Sequence, residues 1–496
     1  MRKAPTGVKL FFTCWIVYGL HFATNIVREH YPAFSLAERG TFRVDPYLGL
    51  HPDIFEVQGR GAFINNNPGA SLVAAVPYGL VRPLVDAIVE RAERVRRGID
   101  GPAGFNDPRP NRRRFFRRVG ERGLLVRFAL AAWVTHALCM APLSAASAVV
   151  MRWVLLRAAF TPTASTALAF LYAFGTPVFF RTGHLNHNLM VAHFTLFAFA
   201  LLYRIRSGPK EPGILAAAGG VLGVAILCDY SAVVSALVLG SYALIDAPAA
   251  EPSASRTRTV AWLAAGAALP VSFLLAYQSW AFGNPFLPAQ RYMPSTELSA
   301  RGWYGFARPS LELVLGNLFS LDYGLFAYAP LLALGLLAPY LVRKGRSALP
   351  GREVGLALSL FAVMLLFASA NQFAWLQWNT GFRMLAPAVP LLFLATAVVL
   401  VRLPRQLAIG LGVLSIAHAW CLAMAREGVL ASVATIWRHG PSLPWLSTLW
   451  RTGFVPALEP SGWQHLAPIF VAGVLVLLLW WPIALGRRRS TTERGL

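Results

Sequence analysis

The chain has 496 residues, of which 56% are hydrophobic and only 14% are charged, and its mean hydropathy is +0.52. A soluble protein of this length needs far more polar surface to cover its core, so the composition excludes the soluble globular class. The formal charge of +23 comes from short basic clusters between apolar blocks, which is typical of a membrane protein and argues against a nucleic-acid partner.

Apolar blocks long enough to cross a membrane recur along the chain. A helix needs roughly 20 residues to cross about 30 Å of hydrocarbon. The sequence therefore predicts an all-α integral membrane protein with about twelve transmembrane helices in one domain over residues 1–496. The predicted spans are 8–27, 125–150, 160–180, 188–204, 213–228, 230–246, 259–278, 326–343, 354–371, 384–402, 406–424 and 466–486.

The basic residues assign a side of the membrane to each connecting segment. Lys and Arg concentrate in cytoplasmic loops, and alternate junctions of this chain are basic. Both termini are therefore predicted to be cytoplasmic, and three long segments, 28–124, 279–325 and 425–465, are predicted to lie outside. A surface helix is expected at 309–320.

One segment disagrees with this assignment. Residues 86–127 contain twelve arginines and six acids, yet the count of spans places them outside. We interpret them as a basic insertion that rests on anionic membrane lipids, or as a solvated insertion. Residues 70–85 are predicted to form a helix at the outer interface.

Acidic residues are scarce, and several follow the first span directly. Glu29, Glu38, Asp45, Asp53 and Glu56 are five of the 22 acids in the chain. A carboxylate at the point where a helix leaves the membrane can act as a general base on a hydroxyl acceptor, or hold a divalent metal. The alternative is that these acids only keep the loop soluble.

Three further polar groups lie at predicted outer ends of spans. His184 and His187 have the His-x-x-His spacing that can bind zinc, although an interfacial polar turn is the more ordinary interpretation. Asp229 lies between two apolar blocks, where it faces a cavity or marks the end of a span. Trp378 and Arg383 offer a flat face for a sugar and a planar fork for a phosphate, or belong to an aromatic belt with a snorkelling arginine.

Several of these segments, taken in order, resemble the C-type membrane glycosyltransferases. The resemblance is to the family 39-like branch of bacterial membrane proteins, which includes protein O-mannosyltransferases and the lipid A aminoarabinose transferase. It covers most of residues 1–405 and rests on residues 28–40, 59–72, 174–177, 282–286, 322–330 and 378–383.

The resemblance implies a bundle with interfacial helices in the first outer loop and an active site at the outer face of the bacterial inner membrane. It also implies a catalytic role for Glu29 and a phosphate-binding role for Arg383. Tyr31, Asp53, Asn67, His184, His187 and Trp378 would then contribute to substrate binding. The chain departs from the family pattern in having Arg28 before Glu29 and Asn66-Asn67-Pro68-Gly69 in place of a Lys-Pro-Pro turn.

The function expected from these features is transfer of a sugar from a polyprenyl-phosphate donor to a glycan, lipid or protein acceptor. The sequence identifies no cofactor with certainty, and it leaves a divalent metal open. The alternative hypothesis is a non-catalytic protein of the same fold, such as a transporter, a lipid-sugar-binding protein or a partner subunit. Convergence of Glu29 and Arg383 on one site would favour the enzyme.

Overall fold

The computed structural model describes residues 5–24, 26–96, 110–206, 211–245, 253–379, 381–451 and 462–481. Of these described residues 74% are helical, and the strands among them are limited to one two-stranded hairpin. The helical class predicted from the sequence is confirmed, whereas the hairpin was not predicted. The tail after residue 481 and the middle of the basic segment lie outside the described residues.

The helices range from one turn to eight turns and are numbered in chain order. They are α1 (Thr6–Leu20), α2 (His30–Arg39), α3 (Gly69–Arg96), α4 (Pro110–Glu121), α5 (Leu125–Thr135), α6 (Ala141–Arg157), α7 (Pro162–Phe174), α8 (Pro177–Thr182), α9 (His187–Arg204), α10 (Pro212–Cys228), α11 (Ala232–Ile245), α12 (Ser253–Phe282), α13 (Leu311–Phe319), α14 (Leu325–Tyr328), α15 (Ala338–Arg343), α16 (Gly351–Ala370), α17 (Val389–Leu400), α18 (Arg405–Ala425), α19 (Val429–His439), α20 (Pro444–Arg451) and α21 (Gly462–Trp480). The bounds of α9, α10 and α11 agree closely with three predicted spans, and α13 is the predicted surface helix.

Other predicted spans differ from the helices that form. A π-helical turn at His136–Met140 joins α5 to α6, so one helix continues over Leu125–Arg157 instead of ending near residue 150. The predicted span 160–180 is divided into α7 and α8, because Pro177 has no N–H to continue the helix and Thr176 caps the new one. The predicted span 326–343 is interrupted by a 3-10 segment that starts at Pro330.

In the part of the chain that the structure describes, five helices are long and apolar enough to cross a membrane, judged by length and composition. They are Gly69–Arg94, Leu125–Arg157, Arg256–Phe282, Gly351–Ala370 and Arg405–Ala425, and six shorter apolar helices accompany them. Large apolar side chains also face outward, including Leu269 (81% exposed), Leu414 (68%) and Phe470 (72%). Such a surface suits lipid rather than water. The total of about twelve crossings stays a prediction.

Helices α2, α3 and α5 form a layer at the end of the bundle where α1 finishes. Phe34 packs on Tyr78 and Phe128 in their shared core, with ring centroids 5.2 and 5.3 Å apart. Arg127 of α5 pairs with Glu38 of α2 and Asp86 of α3, at 3.2 and 2.7 Å. We call this side of the molecule the α2 end.

Helix α3 is longer than the interfacial helix predicted at 70–85. Its inner face packs on α2 and α5. Its outer face carries an apolar residue at every fourth position, namely Val76, Leu80, Leu84 and Ile88, and these side chains are 40–79% exposed. An apolar stripe of this kind suits the acyl region of a membrane. Whether α3 lies along the interface or crosses the bilayer stays a prediction.

The basic segment packs on the loop that follows α2. Arg118 donates a hydrogen bond to the carbonyl of Gly49 at 2.9 Å, and Arg122 donates to the carbonyl of Leu48 at 2.8 Å. Helix α4 therefore lies at the α2 end. The sequence analysis likewise predicted that the basic segment and residues 28–85 lie on the same side of the membrane.

The hairpin connects the loop after α2 to the end of α12. Strands β1 (Ile54–Val57) and β2 (Gly61–Ile64) are antiparallel. Phe63 packs on Phe282 at 5.6 Å, and Arg60 donates to the carbonyl of Ser279 at 3.1 Å. Residues 28–64 are therefore held against the bundle instead of forming a free loop.

Candidate functional site

The ends of three helices meet at one place at the α2 end. Glu29 precedes α2, His187 is the first residue of α9, and Asp229 follows α10. Helices α9 and α10 are packed neighbours joined by a short connection, so the start of α9 and the end of α10 lie together. The side chain of Asn186 accepts a hydrogen bond from the N–H of Leu189 at 3.1 Å, which defines where α9 begins.

Glu29 is held through one of its two oxygens. Oε1 accepts hydrogen bonds from Nδ1 of His187, from Nδ2 of Asn66 at 3.1 Å and from Nε of Arg28 at 3.4 Å. Among the described residues none donates to Oε2. The side chain is buried, with 3% exposed, and Ser71 donates to its backbone carbonyl at 2.7 Å. Glu29 is thus fixed in position with one oxygen left for another molecule.

The charge on Glu29 is stabilised by its neighbours. Burial alone would raise the pKa of this carboxyl group, but the His187 ring and the Arg28 guanidinium outweigh burial and hold the pKa of Glu29 well below its usual range. Glu29 is therefore ionised at neutral pH.

His187 lies between two carboxylates. Its Nδ1 faces Glu29, and its Nε2 is 3.4 Å from Oδ2 of Asp229. Asp229 is fixed in turn by the N–H of Ser231, which donates to its Oδ1 at 2.8 Å. The histidine therefore links the end of α10 to the start of α2.

Arg28 links Glu29 to the loop before the hairpin. Its NH1 donates to Asp53 and to the side chain of Asn65, both at 3.1 Å. Burial acts to lower the pKa of Arg28, but attraction by Glu29, Asp53 and Asp229 outweighs it and raises the pKa. Asp53, a predicted binding residue, thus belongs to the site through its ion pair with Arg28.

The asparagine turn is attached to α10. The side chain of Asn67 donates to the carbonyl of Ile226 at 2.9 Å. Gly69 lies so close to the backbone of Leu227 and Cys228 that a Cβ atom there would collide with both. This close approach requires glycine, and it places Asn66 beside Glu29.

Arg383 comes within electrostatic range of the same carboxylates. Burial, together with repulsion by Arg28, lowers the pKa of Arg383 to about 10, while Asp53 and Glu29 oppose the shift. Its backbone N–H donates to Oε1 of Gln377 at 3.1 Å, which shapes the preceding loop. Among the described residues no acid forms an ion pair with its guanidinium.

Two further arginines lie next to this group. Burial, with repulsion by Arg383 and Arg426, lowers the pKa of Arg181 to about 9, and burial lowers that of Arg426 to about 10. Arg426 follows α18 with a φ of 55°, a conformation uncommon for a non-glycine residue. Its guanidinium donates to the carbonyl of Phe180 at 3.1 Å and is 2.8 Å from Nδ1 of His184. The site therefore holds several cations at neutral pH.

The predicted site residues are distributed as follows. Glu29, Asp53, His187, Asn67 and Arg383 come together, and His184 lies beside them on Arg426. Tyr31 does not: its ring is fully buried against Tyr47 and Phe128, beneath the site. The side chain of Trp378 lies outside the described residues.

Four site residues had no role in the sequence prediction, namely Arg28, Asn66, Arg181 and Arg426. Asp229 was noted there only as facing a cavity or ending a span. Each is a polar residue at the edge of an apolar block, which is a signal present in the sequence. Nothing in the sequence shows that these distant edges meet.

The two histidines do not form a zinc site. His184 faces the Arg426 cation, whereas His187 faces Glu29 and Asp229. Within the part of the chain that the structure describes, no group of three or more His, Cys, Asp or Glu side chains is arranged to hold a metal ion.

Comparisons with protein-family models, with curated proteins and with solved structures gave no match for this chain. The resemblance to C-type glycosyltransferases therefore rests on the sequence segments alone and stays a prediction.

Proposed function

We propose that this protein transfers a sugar from a polyprenyl-phosphate-linked donor to a hydroxyl acceptor. The observation that carries the proposal is the geometry of Glu29, whose Oε1 is fixed by three donors while Oε2 receives none from the described residues. A carboxylate fixed by one oxygen, within electrostatic range of the buried Arg383 guanidinium, suits a reaction that needs a proton acceptor and releases a phosphate.

In the proposed step, Oε2 of Glu29 accepts the proton of the acceptor hydroxyl. The acceptor oxygen forms a bond to the anomeric carbon of the sugar, while the bond from that carbon to the phosphate oxygen breaks. The configuration at the anomeric carbon is inverted. The electron pair leaves with the polyprenyl phosphate, whose negative charge is stabilised by Arg383 and Arg181.

Other residues of the site support substrate binding in this proposal. Arg28 and His187 hold Glu29 in place, and Asp53 and Asn67 fix the two loops beside it. His184, through Arg426, lies on the phosphate side. The acceptor is a glycan, a lipid or a protein hydroxyl.

We place the α2 end at the outer face of a bacterial inner membrane, with about twelve crossings and both termini in the cytoplasm. The basic junctions of the sequence support this orientation. The apolar surfaces of α12 and α18 support contact with lipid. A donor carried by a membrane lipid can reach a site at the end of such helices.

The test measures sugar transfer in vesicles containing the full chain. Undecaprenyl-phosphate hexoses with a tritium-labelled sugar are supplied one at a time, together with membrane extract as the source of acceptor. We expect the wild type to transfer label from one donor, and Glu29→Gln to lose transfer by about 10²–10⁴-fold. Glu56→Gln, an exposed acid on β1, is the matched control and should be unaffected.

Two outcomes would contradict the proposal. Full transfer by Glu29→Gln would remove Glu29 as the base. Binding of the donor without transfer by the wild type would favour the non-catalytic alternative, a protein of this fold that binds a lipid-linked sugar.

A further inference from the structure

An apolar groove lies between α10, α11 and α12. Its volume is about 210 Å³, and every residue that lines it is small or aliphatic. Gly219 and Ile226 line it from α10, Ala236 and Gly240 from α11, and Ala267 from α12. The groove therefore offers no side-chain hydrogen bond and suits a hydrocarbon chain.

The groove results from unequal packing of the three helices. Helices α10 and α12 touch backbone to backbone, because a Cβ atom at Gly219 or Gly266 would collide with the facing carbonyl groups. On α11, by contrast, a Cβ atom at Gly240 would meet nothing within 4 Å. Two helices thus form a tight floor, and the third leaves an open recess.

One end of the groove lies directly beneath the candidate site. Ile226 lines the groove, and its carbonyl accepts the hydrogen bond from Asn67. Asn66, the preceding residue, donates to Glu29. From Ile226 to Gly219 the groove follows α10 away from the site for about 10 Å, at 1.5 Å for each residue.

We propose that this groove holds the isoprenoid chain of the lipid carrier next to its phosphate. This inference rests on the proposed function and names the place where the carrier binds. The phosphate lies among the arginines at the α2 end, and the chain descends past Ile226 between α10, α11 and α12. One lipid molecule then binds to the charged site through its phosphate and fills the apolar groove below it with its isoprenoid chain.

The shape of the groove favours an isoprenoid over a straight acyl chain. Ala236 and Gly240 are small residues one helical turn apart on the groove face of α11. Small residues four positions apart leave recesses about 6 Å apart along the helix, at 1.5 Å for each residue. The regularly spaced methyl branches of an isoprenoid fill such recesses, whereas an unbranched chain leaves them empty and loses those contacts.

The experiment fills the groove and measures binding without sugar transfer. Gly240→Leu places an isobutyl group in the recess without a clash at Cβ, and Gly240→Ala fills it only in part. The control is Gly410→Leu on α18, where a Cβ atom likewise meets nothing within 4 Å and which does not line the groove. The full-length protein in nanodiscs is titrated with undecaprenyl phosphate, and bound lipid is measured by native mass spectrometry.

We expect Gly240→Leu to bind undecaprenyl phosphate about tenfold more weakly than the wild type, with Gly240→Ala in between. Gly410→Leu should bind as the wild type does. Dioleoyl phosphatidic acid, which has a phosphate on unbranched chains, should compete poorly. Thermal unfolding of all four proteins checks that each is folded.

Equal binding by wild type and Gly240→Leu would overturn the inference, as would equal competition by dioleoyl phosphatidic acid. These results are separable from a failure of the proposed function. Absence of transfer with groove-dependent binding would remove the enzymatic activity and leave the groove assignment. Intact transfer with groove-independent binding would do the reverse.

Discussion

Two buried glutamates at opposite ends of α9 show what distinguishes a functional carboxylate from a structural one. Glu29 lies beside His187 at the start of α9, and Glu353 pairs with Arg206, just after its end. Both are 3% exposed. Each accepts several hydrogen bonds on Oε1, and in Glu353 the donors are Arg206 and Arg352, both at 2.9 Å, and the Tyr242 hydroxyl at 3.0 Å.

The two clusters differ in the charged groups that surround the carboxylate. Oε2 of Glu353 is buried and has no hydrogen-bond partner among the described residues. Its arginines stack on tyrosines, Arg206 over Tyr203 at 4.6 Å and Arg352 over Tyr242 at 5.1 Å. This cluster joins the end of α9 to α11 and α16. The carboxylate of Glu29, by contrast, lies within electrostatic range of the Arg383 guanidinium, which forms no ion pair with an acid among the described residues. Burial and ion pairing are common to both clusters, so they do not identify the functional one.

The largest expected contrast comes from changing each glutamate to glutamine. Glu29→Gln should reduce transfer per folded molecule by about 10²–10⁴-fold, because it removes the base, and should also reduce stability by about 2–3 kcal/mol, because the charge-assisted hydrogen bonds from Arg28 and His187 are lost. Glu353→Gln should keep transfer per folded molecule within about twofold but reduce stability by about 2–3 kcal/mol, because charge-assisted hydrogen bonds are lost. Transfer assays and thermal unfolding of both variants measure this contrast.

If Glu353→Gln abolished transfer in protein that unfolds at the wild-type temperature, Glu353 would be the functional carboxylate and not a structural one.

A smaller effect is expected from removing a cation of the site. Arg383→Gln should raise the KM for the lipid-linked donor by about 10–100-fold, because a guanidinium bonded to phosphate contributes roughly 1.5–3 kcal/mol. Arg346→Gln, an exposed arginine in the loop after α15, should leave the KM unchanged. Steady-state kinetics with varied donor distinguish the two. An unchanged KM in Arg383→Gln would separate this arginine from the phosphate.

The pH dependence of transfer sharpens the role of His187. In the wild type the pKa of Glu29 lies below the value of about 4.3 that a glutamate has in the unfolded chain. The ionised carboxylate therefore stabilises the folded protein at pH values above about 4.3. This contribution to stability is lost only as the pH falls towards the lower pKa of the folded state. In His187→Gln, burial is less opposed and the pKa of Glu29 rises. We therefore expect the acidic limb of the pH–rate profile to lie at higher pH in His187→Gln than in the wild type.

His439→Gln, at the exposed end of α19, is the control for this profile. If His187→Gln and His439→Gln gave the same acidic limb, His187 would have no influence on the ionisation of Glu29.

The smallest effect is expected at the asparagine turn. Asn67→Ala removes the hydrogen bond to the Ile226 carbonyl and should cost about 1 kcal/mol of stability, with a rise of about fivefold in KM. Asn284→Ala, which removes a local hydrogen bond from the N–H of Phe286 at 2.8 Å, should leave the KM unchanged. A loss of kcat in Asn67→Ala without a change in KM would contradict a positioning role.

The sequence alone determined the helical class and most helix positions, because apolar blocks bounded by charge have few other stable arrangements in a membrane. It also indicated Glu29, since an acid after an apolar block is conspicuous in a chain with few acids. Prolines explain why two predicted spans are interrupted, one at Gly175 and the other near Pro330. The sequence did not predict these interruptions, because the apolar pattern continues through both.

Only the tertiary structure decided which helix ends meet. The contacts of Glu29 with His187, and of Arg28 with Asp53, join residues far apart in the chain, and no local pattern encodes such pairs. The same holds for Tyr31. The sequence predicts this residue beside Glu29, but helix α2 directs its side chain into an aromatic core. The hydropathy of a segment indicates whether it lies within the membrane, whereas the packing of side chains decides which segments become neighbours.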